Sequence, residues 1–477
     1  MRKAHRSLSV LTVLAIALTA CTTSQTPTTT SEPTGTPVKD TNGANIPLCD
    51  HCNQCPPPAF RWYVGPSTSV NPDQMAAYTQ EINAWNGNLA SPFYIVGEIL
   101  PQDVAYEALA NEVEIYNRPD VIGPASRWAA DSFGDQWIDL EPYLADHDLS
   151  DIDPLALDLW RVEGKGLIGI PVGMSPSAIV YNRDLFDGAG LPYPPHEWGA
   201  PYADGDLWDV AKLEQIAKRL TLDANGNDAT SPQFDPQNVV QFGFAPQGTD
   251  LRGDLTLFGA GSLVDADGRA HMPDQWRTAL NWTYEGMWPG EDDAVFMPND
   301  TLAATVPSVS TDLFNSGRVA MAHCDLSCTD YLEEIPNWDL AALPAYQGTI
   351  TARFRGDMIG IMGRDCIEDV VIALHHLVTN PAMLKSWGGY PPLLSMQGGY
   401  IADLDARYPQ HVDWDVILEG AAYRDEPTCE ARLPNHVQAL DHIDAFQALY
   451  ESTPDLDLDA EIDQLVADLQ VIFDAVE

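Results

Sequence analysis

Between Phe60 and Ile122 the apolar period of the chain switches back and forth, and this alternation narrows the folds open to it. Phe60–Val64 (FRWYV) reads as a short apolar strand closed by Gly65-Pro66. Asn71 before Pro72 is an N-cap with proline at the first helical position. Met75, Tyr78, Ile82 and Trp85 then recur at helical spacing until Gly87. Pro92–Glu98 gives a second strand, a helix carrying Tyr106, Leu109 and Val113 follows, and Asp120–Ile122 gives a third strand ahead of a loop. Strand, helix, strand, helix, strand is the rhythm of an open parallel α/β sheet. Ligands of such sheets sit beyond the carboxyl ends of the strands. That points at Gly65-Pro66-Ser67 and at Ala125-Ser126-Arg127-Trp128.

A second α/β region follows, to about residue 350. Leu167–Val172 and Ala178–Tyr181 read as strands separated by Gly173-Met174-Ser175-Pro176, and a helix begins near Asp184. Leu207–Leu220 is an amphipathic helix, while Val239–Phe244, Arg318–Cys324 and Arg355–Gly363 are strand-like. In the tail, Ile462, Leu465, Val466, Leu469, Ile472 and Phe473 share one helix face. No internal repeat is visible. The 477 residues suit two or three cores rather than one.

The chain opens with Arg2, Lys3 and Arg6, then an apolar run from Leu8 to Ala20, which together read as a secretory signal. The run is too short for a mature membrane span, which needs roughly 20 residues. Residues 22–47 are rich in Thr, Ser, Pro and Gly, a composition that cannot offset its own ordering entropy and so reads as a tether. Net charge is extreme: 24 Lys+Arg against 70 Asp+Glu. Such a surface repels nucleic acid and anionic lipid, so neither is an expected partner.

Beyond Cys21 the cysteines are Cys49, Cys52, Cys55, Cys324, Cys328, Cys366 and Cys429, an odd number, so at least one is free or pairs between chains. Export permits disulfides. The collar CDHCNQC crowds Cys49, His51, Cys52 and Cys55 into seven residues, whereas a zinc finger carries two separated ligand pairs. A local disulfide, or a bridge to the body of the protein, is the stronger reading, and no metal is expected. Asp223–Phe234 resembles a calcium loop only faintly, with Asp228 where an EF-hand needs Gly and Phe234 where it needs Glu. It reads as a solvated turn. There is no HExxH, and GMSPS is not a nucleophile elbow. No cofactor and no catalytic group is expected.

Leu18-Thr19-Ala20-Cys21 resembles the lipobox of bacterial lipoproteins, which implies a lipidated Cys21 as the new N-terminus on the outer face of the cytoplasmic membrane. The order of the later segments resembles the extracellular solute-binding proteins of ABC transporters, the sugar-binding family that includes maltose-binding protein. The segments are RPDVIGPASRW, GIPVGMSPSAIVYNRDLF, FNSGRVAMAHCD, RGDMIGI and WGGYPPL. The resemblance implies a type II periplasmic-binding-protein-like α/β fold of two lobes, each a sheet flanked by helices, joined by a hinge. It implies a signal peptide over 1–20 and a lipidated tether with its collar over 21–58. Lobe one would be 59–173 plus 353–395, and lobe two 178–350 plus 396–477. Hinges would lie at Gly173–Ser177 and near Gln347–Arg353.

The implied function is capture of a neutral carbohydrate by hinge closure, without bond chemistry, and delivery to membrane permease subunits by a monomer. A sugar needs aromatic rings for its C–H faces and planar polar groups for its hydroxyls. The ligand-binding candidates are Ser67, Ser126, Arg127, Trp128, Met174, Ser175, His323, Asp325, Arg355, Gly356, Trp387 and Tyr390. Trp62, Trp282 and Trp288 read as core. The rival readings are an extracellular glycoside hydrolase and a metal-binding lipoprotein.

Overall fold

The computed structural model describes residues 59–475, apart from 66–71, 89–90, 92, 115–116, 163, 247–250, 289–294, 300–313, 333–334, 364–366 and 428–432. Cys21, Cys49, Cys52, Cys55, Ser67, Cys366 and Cys429 therefore lie outside the described residues.

Eleven strands are described: β1 (Ala59–Val64), β2 (Tyr94–Ile99), β3 (Val121–Ser126), β4 (Arg161–Val162), β5 (Gly166–Leu167), β6 (Ile170–Asn182), β7 (Leu222–Asp223), β8 (Val239–Pro246), β9 (Val319–Asp325), β10 (Trp338–Ala341) and β11 (Phe354–Ile361). Nine of them form one mixed sheet in the order β2-β1-β3-β11-β6-β9-β8-β7, with β10 also on β6, and β4 and β5 make a separate pair. β1 is parallel to both β2 and β3, as the alternating pattern predicts, with helices Pro72–Gly87 and Gln102–Glu114 in the two crossovers. β11 returns antiparallel between β3 and β6.

Two strands run further than local pattern indicates. β3 continues through Gly123–Ser126, read from sequence as loop, because β11 supplies hydrogen-bonding partners opposite Ala125 and Ser126. Gly123 makes this possible: its φ is +142°, and a Cβ there would sit 2.5 Å from the Met358 carbonyl oxygen. β6 is continuous across Gly173–Pro176, where the sequence indicates a break. Its first half pairs with β11 and its second half with β9 on one edge and β10 on the other. Residues with weak strand pattern are held extended by partners far away in sequence.

Two hydrophobic clusters flank this sheet. One contains Trp62, Tyr78, Ile122, Trp160, Met358 and Leu374, the other Tyr181, Phe186, Phe244, Trp276, Leu280 and Ile462. The C-terminal helix Leu458–Asp474 buries Ile462, Leu465, Leu469, Ile472 and Phe473 in the second cluster, while Val466 is half-buried. Trp62 is core as expected; Trp282 and Trp288 are half-buried, donating to the Glu214 carboxylate and the Tyr450 carbonyl. Among the described residues no helix is long and apolar enough to cross a membrane.

The Asp223 loop is a turn with most of its residues exposed or half-buried, as expected, but it is organised around one buried carboxylate. Asp223 is buried, and its carboxylate accepts from the backbone N–H groups of Asn225, Asn227 and Asp235 and from the Asn227 side chain. Burial pushes its pKa up, but these hydrogen bonds outweigh burial and hold it at about 2. The folded-state value lies below the unfolded one of about 3.9. The stabilisation is therefore complete above pH 4 and lost as pH falls from about 4 to about 2. The melting temperature of Asp223→Asn is expected to fall below wild type at pH 6, with the gap narrowing steadily below pH 4. A gap independent of pH would show that the carboxylate charge is not what the loop uses. Among the described residues no group of three or more side chains is arranged to hold a metal ion.

Candidate functional site

Four strands meet where β3 ends. Asp357 of β11 lies opposite Ser126, the last residue of β3, and on its other side opposite Gly173 of β6. Further along β11, Arg355 is opposite Ser175 and Gly356 opposite Met174. Met174 exchanges both backbone hydrogen bonds with Tyr390, at 2.9 and 3.0 Å. β9 joins from the far side, with Asp325 opposite Ser177. The strands approach closely: a Cβ on Gly356 would lie 3.1 Å from Leu159 Cδ1 and 3.2 Å from the Gly173 carbonyl oxygen.

Asp325 is the hub of the polar contacts. Its Oδ1 accepts from the Ser175 hydroxyl at 3.2 Å, the Ser327 N–H at 3.0 Å and the Ser327 hydroxyl. Its Oδ2 faces Arg355 Nη2 at 2.5 Å. The Ser327 N–H also donates to the Ser175 hydroxyl at 3.1 Å. Asp325 thereby caps the 3-10 turn Leu326–Tyr331 while tying β9 to β6 and β11. Cys324 and Cys328, whose pairing the sequence reading left open, form a disulfide from the end of β9 into the first half of this turn.

The flank is built from the helix Arg127–Ser132, N-capped by Ser126. Arg127 pairs with Asp131, donates Nη1 to the Leu159 carbonyl at 2.8 Å and lies 5.8 Å from the centre of the Trp160 ring. Trp128 is 36% exposed, with Tyr106 packed 4.4 Å beneath and His436 at 6.3 Å.

The remaining candidates are placed deeper. Tyr390 is buried and its phenol is pushed up to about 12 by burial, with Asp153 and Asp415 adding, so it stays protonated. Trp387 is buried edge-on to Trp62 at 6.3 Å, and its carbonyl accepts from Gln74. Trp387 Nε1 and Trp160 Nε1 are buried donors with no hydrogen-bond partner among the described residues. His323 is buried. Its Nδ1 is 3.1 Å from the Gly253 carbonyl, which can only accept, so Nδ1 carries the proton. Nε2 lies 3.0 Å from the Ser177 hydroxyl. Both ring nitrogens of this candidate are thus engaged inside the protein, and in this conformation His323 braces β9 against β6.

Sequence reasoning passed over Asp357, Ser327, Trp160 and His436. Asp357 follows Arg355 by two, so strand alternation puts both on one face and could have found it. Ser327, Trp160 and His436 carry no local signal; only the packing of distant segments brings them here.

The arrangement is one of strand ends converging on a polar hub with an exposed ring beside it. The bacterial extracellular solute-binding protein family model matches residues 109–392, more than half of the chain, and the protein belongs to that family. Putative binding proteins of Brucella abortus (strain 2308) and Brucella suis biovar 1 (strain 1330) are each 25% identical over 258 residues, 52% of this chain. The chain spans about half, 55%, of the length of these curated relatives.

An ABC substrate-binding protein from Listeria monocytogenes, solved with cycloalternan, has a TM-score of 0.62 at 17% identity and covers 86% of this chain and 97% of its own. UspC of M. tuberculosis gives 0.64 at 17% identity over 87% and 100%. The sugar-binding protein MalE from Xanthomonas citri gives 0.57 at 16% identity over 87% and 97%. The fold is thus the type II periplasmic-binding-protein-like α/β fold.

Proposed function

We propose that the protein is the lipid-anchored substrate-binding component of an ABC importer. It captures a neutral carbohydrate or polyol between two lobes and presents it to membrane permease subunits. The observation that carries the reading is the convergence of Ser126, Ser175, Asp325, Arg355 and Asp357 at one set of strand ends beside the exposed Trp128.

Charge favours an uncharged ligand. Arg355 is already balanced by Asp325 and Arg127 by Asp131, so neither cation is left to recruit an anionic ligand. The proposed contact set is Ser126, Arg127, Trp128, Ser175, Asp325 and Arg355, with Ser67 added from its sequence position. Gly356 and Met174 supply backbone, and Trp387 and Tyr390 a floor. Solved neighbours carry cycloalternan, ribitol and mannobiose, which supports the ligand class.

Lobe one is proposed as 59–173 plus 353–395 and lobe two as 178–350 plus 396–477. β6 and the Gln347–Arg353 segment would be the crossings where a few torsions change on closure. Cys21 carries the lipid, the chain acts outside the membrane as a monomer, and no bond in the ligand changes.

A thermal-shift and calorimetric screen with cycloalternan, mannobiose, ribitol and D-tagatose, widened to other saccharides, tests the reading. A native-state ligand raises the melting temperature by mass action, and the ligand is expected back intact. Release of reducing sugar would establish a glycoside hydrolase instead, and no heat or shift with any saccharide or polyol would end the proposal. Trp128→Ala is expected to weaken binding of the best hit about tenfold, roughly 1.4 kcal/mol, at nearly unchanged stability. Undiminished affinity would remove Trp128 from the site.

A further inference from the structure

The Cys324–Cys328 disulfide closes a ring of five residues that contains both Asp325 and Ser327. Cross-linking so short a loop removes little entropy from the unfolded chain. Its effect therefore falls on the native turn. Left to themselves, Asp325 and Ser327 sit where a strand passes into a six-residue 3-10 turn, a tight conformation with poor hydrogen-bond geometry. Yet these two residues tie this end of β9 to the seam through polar groups: to Ser175 of β6 through Asp325 Oδ1 and the Ser327 N–H, and to Arg355 of β11 through Asp325 Oδ2 and the Ser327 hydroxyl. Cys324 is buried within β9 and anchors one end of the ring; Cys328 is half-buried on the turn and fixes the other.

We infer that the Cys324–Cys328 disulfide is a positioning device: it fixes the Asp325 carboxylate and Ser327 against Ser175 and Arg355, and so presets the polar hub of the proposed binding site. The inference rests on the proposed function only for its consequence in ligand affinity; the placement of Asp325 is measurable with no ligand at all.

The test is a mutant cycle in the intact protein, read by hydrogen exchange of the peptides covering 173–177, 325–329 and 354–357. Cys324→Ser/Cys328→Ser is expected to raise exchange in these three segments about tenfold while the C-terminal helix Leu458–Asp474 exchanges as in wild type. Asp325→Asn is expected to do the same at 173–177 and 354–357. Combining the two is expected to add little there, because both remove one hub. Exchange raised evenly across the molecule, effects that simply add, or a double-serine variant indistinguishable from wild type at the seam would each overturn the inference and leave the bridge as general reinforcement. Where the saccharide screen yields a ligand, its affinity for the double-serine variant is expected to fall about fivefold to tenfold, and unchanged affinity would refute the preset hub. If no saccharide binds, the proposed function fails while the exchange cycle still decides the positioning role.

Discussion

Arg252→Met is expected to lower the stability of the protein by about 3–5 kcal/mol, the range for removing one partner of a buried ion pair. Arg252 is 2% exposed and Asp425 is 0% exposed. Arg252 Nε donates to Asp425 Oδ2 at 2.8 Å, and its Nη2 donates to the Gly261 carbonyl at 2.8 Å and to the Pro427 carbonyl. Its guanidinium also lies 4.9 Å from the centre of the Trp276 ring. Methionine keeps much of the volume but leaves the buried carboxylate, among the described residues, with the more distant Arg353 at 3.7 Å as its ion-pair partner. Asp425 also donates its backbone N–H to the Ala352 carbonyl, so the loss is expected to reach the proposed second crossing. Urea unfolding at pH 7 checks this through a shifted midpoint at constant slope. Arg252→Met with Asp425→Leu is expected to recover part of the loss, since no carboxylate is then stranded. A single variant within 1 kcal/mol of wild type would show that water reaches the pair.

The second large effect comes from packing alone. Trp338 opens β10 opposite Asn182 of β6, is fully buried, and meets Tyr408 and Trp414 edge-on at 5.2 and 5.8 Å. Its Nε1 has no hydrogen-bond partner among the described residues. Trp338→Ala is expected to cost about 3–5 kcal/mol through lost burial and the cavity left behind, with the two aromatic contacts part of that sum. Trp338→Phe keeps a ring and gives up no hydrogen bond, so it is expected to cost roughly 1 kcal/mol. Denaturant midpoints for both variants separate the terms. Equal losses for Ala and Phe would mean that a feature of the indole other than its bulk matters at this position.

The readable parts of the fold were those carrying a local period. The helix Pro72–Gly87 begins at the proline and ends at the glycine that the pattern marks, and β1, β2 and β3 arrive in the expected order. Helix Val210–Leu220 starts at Asp209, whose carboxylate caps Lys212 N–H. The site was legible only in outline. Arg355 and Ser175 face each other across β11 and β6, and Asp325 joins them, all three already visible in family-like segments. His323 sat in such a segment too, yet its neighbours Gly253 and Ser177 occupy both ring nitrogens, and nothing local announces either.

By itself, the sequence determined the classes of element, their order, the acidic surface and the family, because hydrophobic period, capping residues and charge act over a few residues at a time. Tertiary structure alone decided that β6 runs unbroken through Gly173–Pro176, that Arg252 and Asp425 share a buried site, and that Cys324 closes on Cys328 around Asp325. Each of those depends on which distant groups satisfy a backbone hydrogen bond, a buried charge or a thiol, and a linear pattern does not carry that information.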